Sequence, residues 1–425
     1  MSGGRFHPGP ESAAAMDRRD PLAGFRQRFH LPKTKNGQEC IYLCGHSLGL
    51  QPKTARAYTE QDLDDWARLA VEGHLHARHP WLTYQRLLTE QTAALVGAEP
   101  GEVVVMNSLT MNLHLMMVSF YRPTKARHKI LVERGAFPSD QYAVKSQICF
   151  HGYDPASSLL ELTPREGESC MRDADIESFI DREGTSIALI LLGGVNYATG
   201  QAFDIDAITK AGHNKGCMVG FDLAHAAGNL PLRLHDWGPD FAVWCSYKYL
   251  NAGPGAVAGC FVHERHARAW ELPRFAGWWG HEEASRFQMP PDFRPIRGAE
   301  GWQVSNPPIL ALAPLRASME IFAEAGMDRL RAKSIDLTGY AEFLFNQNDS
   351  QKFSIITPSD PRRRGAQLSL RIRHDGRELC DKLAAEGVMG DWREPDTFRM
   401  APAPLYNSYS DVYTFVQRFI AALAG

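Results

Sequence analysis

Phe241-Ala-Val-Trp-Cys-Ser-Tyr-Lys-Tyr-Leu-Asn-Ala-Gly-Pro-Gly-Ala-Val-Ala-Gly-Cys-Phe-Val262 holds a single formally charged residue, Lys248. Apolar runs of strand length flank it, and the Gly-Pro-Gly turn at 253–255 separates the second run from the lysine. A lysine stem can snorkel and keep its ammonium wet, which is the plainer reading of a lysine in apolar sequence. Here that reading is strained, because lysines are rarely buried unless paired or functional. An amine held in an apolar pocket favours its neutral form, and only that form attacks a carbonyl to make a Schiff base.

Working outward, Gly220-Phe-Asp-Leu-Ala-His225 gives a second signal. Residues 218–221 read as a short buried strand ending in Asp222, with His225 close behind. An aspartate at the end of a buried strand in an α/β pattern points into the crevice where ligands bind. Pyridoxal phosphate chemistry needs a carboxylate against the ring nitrogen, so that the protonated ring accepts electrons. Alone, Asp222 reads as a cap or loop residue. Followed by Lys248, it completes the pair that this chemistry requires.

The same alternation extends in both directions. Strands are expected at 103–106, 129–133, 159–162, 187–192, 241–245 and 256–262, with helices at 111–120, 137–149, 173–182 and 205–215. That order predicts an α/β fold of three layers, a mostly parallel central sheet with helices on both faces. Neither a Gly-x-Gly-x-x-Gly fingerprint nor a P-loop occurs, which disfavours dinucleotide and nucleoside triphosphate folds. Past Gly301 the helices at 309–325 and 328–345, strands at 353–357 and 367–373, and helices at 377–386 and 410–423 form a smaller α+β domain. Arg362-Arg-Arg364 reads as a solvated turn between the two strands. The expected division is a flexible tail at 1–20, an N-terminal segment at 21–96 contributing to the small domain, a large domain at 97–305, and a small domain at 306–425.

The chain of 425 residues can support several cores, and its net charge of −3 offers nothing to nucleic acid or an anionic membrane. No stretch approaches the roughly 18 apolar residues of a membrane span. The eight cysteines are scattered and suggest a reducing cytoplasm. His74-Leu-His-Ala-Arg-His79 invites a metal reading, yet no cysteine or carboxylate set completes a site, and a loop with one functional histidine is preferred. Asn107-Ser-Leu-Thr110 opens a helix, where Ser and Thr cap free N–H groups; the same groups can seat a phosphate. Phe137 is either a core residue or an aromatic that stacks on a flat ring. Arg399, before a Pro-rich loop, is either a surface cation or a fork for a carboxylate.

Read together, Gly45-His-Ser-Leu-Gly-Leu-Gln-Pro-Lys53, Asn107–His114, Phe137-Pro-Ser-Asp140, Asp222-Leu-Ala-His225, Tyr247–Gly253, Gly277-Trp-Trp-Gly-His281, Ser305-Asn-Pro-Pro308 and Arg399–Asn407 resemble the kynureninases. These are pyridoxal-phosphate hydrolases of fold type I, acting on carbon–carbon bonds in ketonic substances. The resemblance runs from about Tyr42 to the C-terminus and implies that Lys248 holds the cofactor covalently, with Asp222 on its ring nitrogen. It places Leu109 and Thr110 at the phosphate, Phe137 on the ring with Asp140 close by, and His225 beside the ring or Asp222. Tyr247 would hold the phosphate and donate protons, so the catalytic set is Lys248, Tyr247 and Asp222. Trp278 and Asn306 would reach the pocket from the neighbouring subunit of a homodimer, and Arg399 would bind the substrate's α-carboxylate. His74, Ser305 and Asn306 match the members that prefer 3-hydroxykynurenine over kynurenine, which favours a role in nicotinamide cofactor synthesis over catabolism. The chain departs from the family at His46, commonly Asn, and at Gly193, sometimes a hydroxyl residue.

Overall fold

A computed structural model describes residues 6–348 and 351–424. In chain order its strands are β1 (Ile41–Tyr42), β2 (Val103–Val105), β3 (Lys129–Glu133), β4 (Leu159–Leu162), β5 (Ile187–Gly193), β6 (Met218–Asp222), β7 (Phe241–Trp244), β8 (Gly259–Val262), β9 (Phe353–Ile355), β10 (Leu368–Ile372), β11 (Val388–Met389), β12 (Asp391–Arg393) and β13 (Thr397–Met400). Seven form the central sheet in the order β2-β8-β7-β6-β5-β3-β4. Only β8 runs against its neighbours; the other pairings in this sheet are parallel. The expected mostly parallel α/β architecture of fold type I is observed. Its strands are continuous apolar runs, Ile187-Ala-Leu-Ile-Leu-Leu192 being buried throughout, as a sheet covered by helices on both faces demands.

The smaller sheet is antiparallel, β12-β13-β10-β9, and β1 pairs with β11 beside it. The segment 21–96 and the chain after residue 306 both contribute to the large core as well as to the small one. Leu22, Phe25, Phe29, Tyr84 and Leu88 pack into the large core, as do Leu312, Leu315 and Phe322 of the helix Ile309–Ala325. Of the segment 21–96, Ile41 and Leu43 join the small core instead, with the helices Met327–Asn346 and Tyr409–Ala424.

Two expectations need correction. Within the supposed tail, Pro10–Arg18 is a helix with Ala13 buried; residues 1–5 lie outside the described part. Asp17 accepts hydrogen bonds from the Tyr409 and Ser410 N–H groups at 2.6 and 3.1 Å, capping the last helix, and Asp20 pairs with buried Lys333 at 2.7 Å. Its Gly- and Ser-rich composition reads as coil because its partners lie almost a chain length away. The Arg362–Arg364 turn is solvated at Arg362, but Arg364 is buried and pairs with Glu342 at 2.7 Å.

One contact positions the future site. Gly49 donates its N–H to the Tyr247 carbonyl at 2.8 Å, and a Cβ there would stand 2.4 Å from the Lys248 carbonyl oxygen. Only a glycine lets the 45–50 loop lie so close against the lysine's backbone.

Candidate active site

The parallel strands β3, β5 and β6 lie side by side and end in Glu133, Gly193 and Asp222, with Gly193 and Asp222 in register. Beyond β7 the chain turns through Tyr247 and Lys248. These ends enclose a cavity of about 160 Å³, whose wall also takes in Leu109, Thr110, Phe137, Ser139, Asp140, Tyr197 and His225. The crevice outside the carboxyl ends of parallel strands is where this class of sheet holds ligands.

Lys248 Nζ lies 3.1 Å from His225 Nε2 and 5.7 Å from the centroid of the Phe137 ring. Burial, then the charges of Lys248 and Arg399, drives the His225 pKa well below its ordinary value, so the imidazole beside the lysine is neutral. Asp222 Oδ1 accepts the Ala224 N–H at 2.7 Å. Burial, followed by the negative charge of Asp222, pushes Asp140 well above the usual carboxylate range. Burial pushes Glu133 up to about 7, with Asp222 adding to it and the Asn196 amide opposing it from 2.9 Å. Three carboxyls therefore share one pocket. Tyr247 is raised by burial and then by Cys245, which keeps its phenol protonated at neutral pH.

The helices Leu109–Phe120 and Pro138–Phe150 both begin at this wall. The capping expected of Ser108 is not made, and no side chain caps either helix start. Instead the Thr110 and Ser139 hydroxyls meet at 2.8 Å across the two starts. Uncapped N–H groups with the helix dipole behind them suit a phosphate. Phe137 is 43% exposed, its ring edge-on to Tyr197 at 5.4 Å between centroids.

Not every expected residue comes to the cavity. Arg399 is buried behind Tyr197, whose carbonyl accepts from Nη1 at 2.7 Å, while Nη2 pairs with Asp391, its cross-strand neighbour on β12. His46 is buried between the His225 ring, 6.4 Å away, and Asp391, at 3.5 Å, and burial lowers its pKa to about 4. Trp278, Ser305 and Asn306 are exposed on this chain and off the cavity wall. His74 lies edge-on to Trp81 at 5.4 Å, His79 to Tyr84, and His76 beside Glu72, so the three histidines point to separate partners.

Sequence reasoning passed over Glu133, Ser139, Asn196 and Tyr197. For Glu133 the signal was present: Lys129-Ile-Leu-Val-Glu133 is an apolar run ending in an acid, like Met218-Val-Gly-Phe-Asp222. The donor set suits pyridoxal phosphate. A carboxylate, an amine, an aromatic face and two uncapped helix starts line one cavity, and His225 Nδ1 and Asp140 Oδ1 are buried without partners among the described residues.

A family model described as the kynureninase C-terminal domain matches residues 330–419. The chain is 66% identical over 423 residues to a kynureninase of Koribacter versatilis, covering all of both chains. It is 61% identical to a kynureninase of Myxococcus xanthus, covering 97% of each. Among solved structures, an apo cysteine desulfurase from Thermococcus onnurineus aligns with a TM-score of 0.74 at 17% identity, over 98% of both chains. A cystine C–S lyase bound to cysteine persulfide aligns at 0.76 and 16%, over 89% of this chain and 97% of that one. At such identities these structures speak for the fold alone. Sequence identity at that level over the whole length, together with the matched C-terminal domain, decides the matter: the chain belongs to the kynureninase family.

Proposed function

We propose that the protein hydrolyses the Cβ–Cγ bond of L-3-hydroxykynurenine, and less readily that of L-kynurenine, with pyridoxal 5′-phosphate as cofactor. The products are 3-hydroxyanthranilate or anthranilate, and L-alanine. The observation that carries this is the convergence of Asp222, Lys248 and Tyr247 on one cavity in a chain so close to the kynureninases.

When bound, the cofactor supplies an electron sink for negative charge at the substrate's Cα and Cβ. Asp222 offers its carboxylate to the ring nitrogen, Phe137 a face for the ring, and the two helix starts with Leu109, Thr110 and Tyr247 a seat for the phosphate. Lys248 Nζ takes the proton from Cα, next to a neutral His225 that does not compete as a second cation. Water adds to the γ-carbonyl; as the resulting diol opens, Cγ leaves as a carboxylic acid and Tyr247 delivers a proton to Cβ. Arg399 binds the α-carboxylate, and its Nε–H is buried and unpartnered among the described residues. His74, Ser305 and Asn306 hydrogen-bond the phenolic hydroxyl, and a site so built disfavours the analogue lacking it.

Trp278 and Asn306 reach the cavity of the partner subunit in a homodimer. The exposed Trp66, Met111, Trp278 and Phe287 support self-association. Eight free cysteines support a reducing cytoplasm, and no helix among the described residues is long and apolar enough to cross a membrane. A desulfurase, the activity of a structural neighbour, needs a cysteine at the chemistry, and the cavity wall carries none.

The deciding experiment measures alanine release from both substrates by the purified holoenzyme. Faster release from L-3-hydroxykynurenine is expected. Faster release from L-kynurenine would sink the preference and keep the reaction; no alanine from either would sink both.

A further inference from the structure

The turn at 196–199 joins the cofactor side of the cavity to Arg399. On one side, Asn196 Nδ2 donates to Glu133 Oε2 at 2.9 Å, tying the turn to the end of β3. Asn196 Oδ1 meanwhile accepts from the Ala198 and Thr199 N–H groups and the Thr199 hydroxyl, at 3.0, 2.8 and 3.0 Å, which fixes the turn's shape. On the other side its carbonyls face the small domain. Tyr197 O accepts from Arg399 Nη1 at 2.7 Å and Gln367 Nε2 at 2.9 Å, and Ala198 O accepts from the Ser369 hydroxyl at 2.6 Å. Thr199 O accepts from the Thr357 hydroxyl at 2.5 Å. The Arg399 guanidinium thus has two fixed supports, Asp391 on its own sheet and a carbonyl whose position depends on Asn196 and Glu133.

We infer that Asn196 and Glu133 are positioning residues that set where Arg399 meets the substrate's α-carboxylate, acting through the Tyr197 carbonyl. The inference rests on the proposed role of Arg399. Glu133 is 4% exposed and lines the cavity, where the other charged or titratable side chains are Asp140, Tyr197, Asp222, His225, Tyr247 and Lys248. The acid that acts on it is Asp222, and among the described residues the Asn196 amide is the donor that holds its side chain on the turn's side. Oε2 accepts the Asn196 amide whether Glu133 is ionised or carries its proton on Oε1, and this buried hydrogen bond fixes the turn.

Asn196→Asp tests this with little other disturbance. It keeps an oxygen for the three bonds within the turn and, at pH 9 where Glu133 is itself ionised, sets a second carboxylate against it. In the holoenzyme, the KM for L-3-hydroxykynurenine and the calorimetric Kd for L-alanine should both rise about tenfold, the worth of one charge-assisted hydrogen bond. The kcat should change far less, and the cofactor's absorbance spectrum should not move. Adding Glu133→Gln to Asn196→Asp restores a donor and an acceptor in reversed direction and should recover most of both constants. Glu133→Gln alone, which keeps an acceptor for Asn196, should weaken both modestly and serves if Asn196→Asp does not fold. Arg399→Lys separates the two readings, since a lysine lacks the fork. If that variant leaves KM and Kd unchanged, the carboxylate role of Arg399 falls and the inference falls with it. If Arg399→Lys raises both but Asn196→Asp leaves them unchanged, or lowers kcat alone, or is not rescued by Glu133→Gln, the positioning role is overturned.

Discussion

The central sheet carries buried acids at both of its ends, and the two ends treat them oppositely. At the end where β6 and β7 begin, Asp240 is 2% exposed and fully engaged. It accepts from the Val219 N–H at 2.7 Å, His213 at 3.0 Å, His266 at 2.8 Å and Arg265 at 3.3 Å. Burial alone would raise its pKa, but His213 and His266 outweigh it and hold the carboxyl well below the usual range. Glu102 nearby accepts from the N–H groups of Glu99 and Glu264 and from His235. His235 and His263 stand close enough to Glu102 to hold a metal, but the ring nitrogen of His263 that faces Glu102 already accepts the Arg265 N–H at 3.1 Å. At the other end, Glu133, Asp140 and Asp222 crowd one cavity with fewer donors, and two of them are pushed upward. Counting partners separates the end that holds the sheet from the end left free for chemistry.

The largest effect is expected at the second end. Lys248→Ala should lower kcat by about 10²–10⁴-fold, the range for a positioned proton-transfer group, with thermal unfolding little changed. No single substitution among Glu102, Asp240, His213 or His266 should approach that loss in activity per folded molecule. One that did would break the division of labour between the ends.

Stability should respond in the opposite place. Asp240→Ala leaves His213, His266 and Arg265 without their carboxylate and should cost about 3 kcal/mol in urea unfolding at neutral pH. The folded pKa of Asp240 lies below its unfolded value of roughly 3.9, so its stabilisation is complete above that pH. It is lost as pH falls through the folded value. The gap between wild type and variant should therefore be widest near neutrality and close only in strong acid.

Much of this was legible because local sequence decides it. An apolar run closed by Asp222, and another leading to Lys248, fixed two of the three central participants, since strand ends in a parallel sheet point into the crevice. The helices at 309–325 and 173–182 came within a residue or so of the structure because their apolar spacing is unbroken. What escaped depends on contacts distant in sequence. Asp17 caps a helix that begins near residue 409, so nothing around it announces order. Glu133 looked like any strand-ending acid until Gly193 and Asp222 were brought beside it. Arg399 was assigned from its motif, but its burial behind Tyr197 follows from the packing of one domain on the other. His74, Ser305 and Asn306 lie off the cavity wall of this chain, and their spacing in sequence gives no sign of that.

The two ends should also answer differently to the same chemical change, an acid made into its amide. Asp240→Asn should destabilise at neutral pH. Glu133→Gln should do the reverse above pH 7. With a folded pKa of about 7 against roughly 4.3 unfolded, Glu133 keeps its proton in the folded state over that interval. Its contribution to stability is therefore full below the unfolded value and declines as pH rises towards the folded one. The glutamine variant should match wild type near pH 4 and exceed it by on the order of 1–3 kcal/mol at pH 8, as the charge it removes is a buried one. Equal stability differences at pH 4 and pH 8 would mean that Glu133 is not held protonated by its surroundings.

The smallest effect expected is at Gly193, between the two acids, and it sharpens the comparison furthest. A Cβ there would stand 3.1 Å from Glu133 Oε1 and 3.4 Å from the Val195 carbonyl oxygen, tight by a few tenths of an ångström but not impossible. Gly193→Ser would put a hydroxyl next to a carboxyl short of donors, so slight crowding and a new hydrogen bond oppose each other. The net change in stability should stay within about 1 kcal/mol. Its pH dependence is the informative part. A hydroxyl donating to the ionised form lowers the Glu133 pKa, so the serine should help more at pH 8 than at pH 5. In a Glu133→Gln background, where no charge forms, that difference between the two pH values should vanish. A serine whose effect is the same at both pH values, with or without Glu133, would show that Oε1 does not face the gap at Gly193.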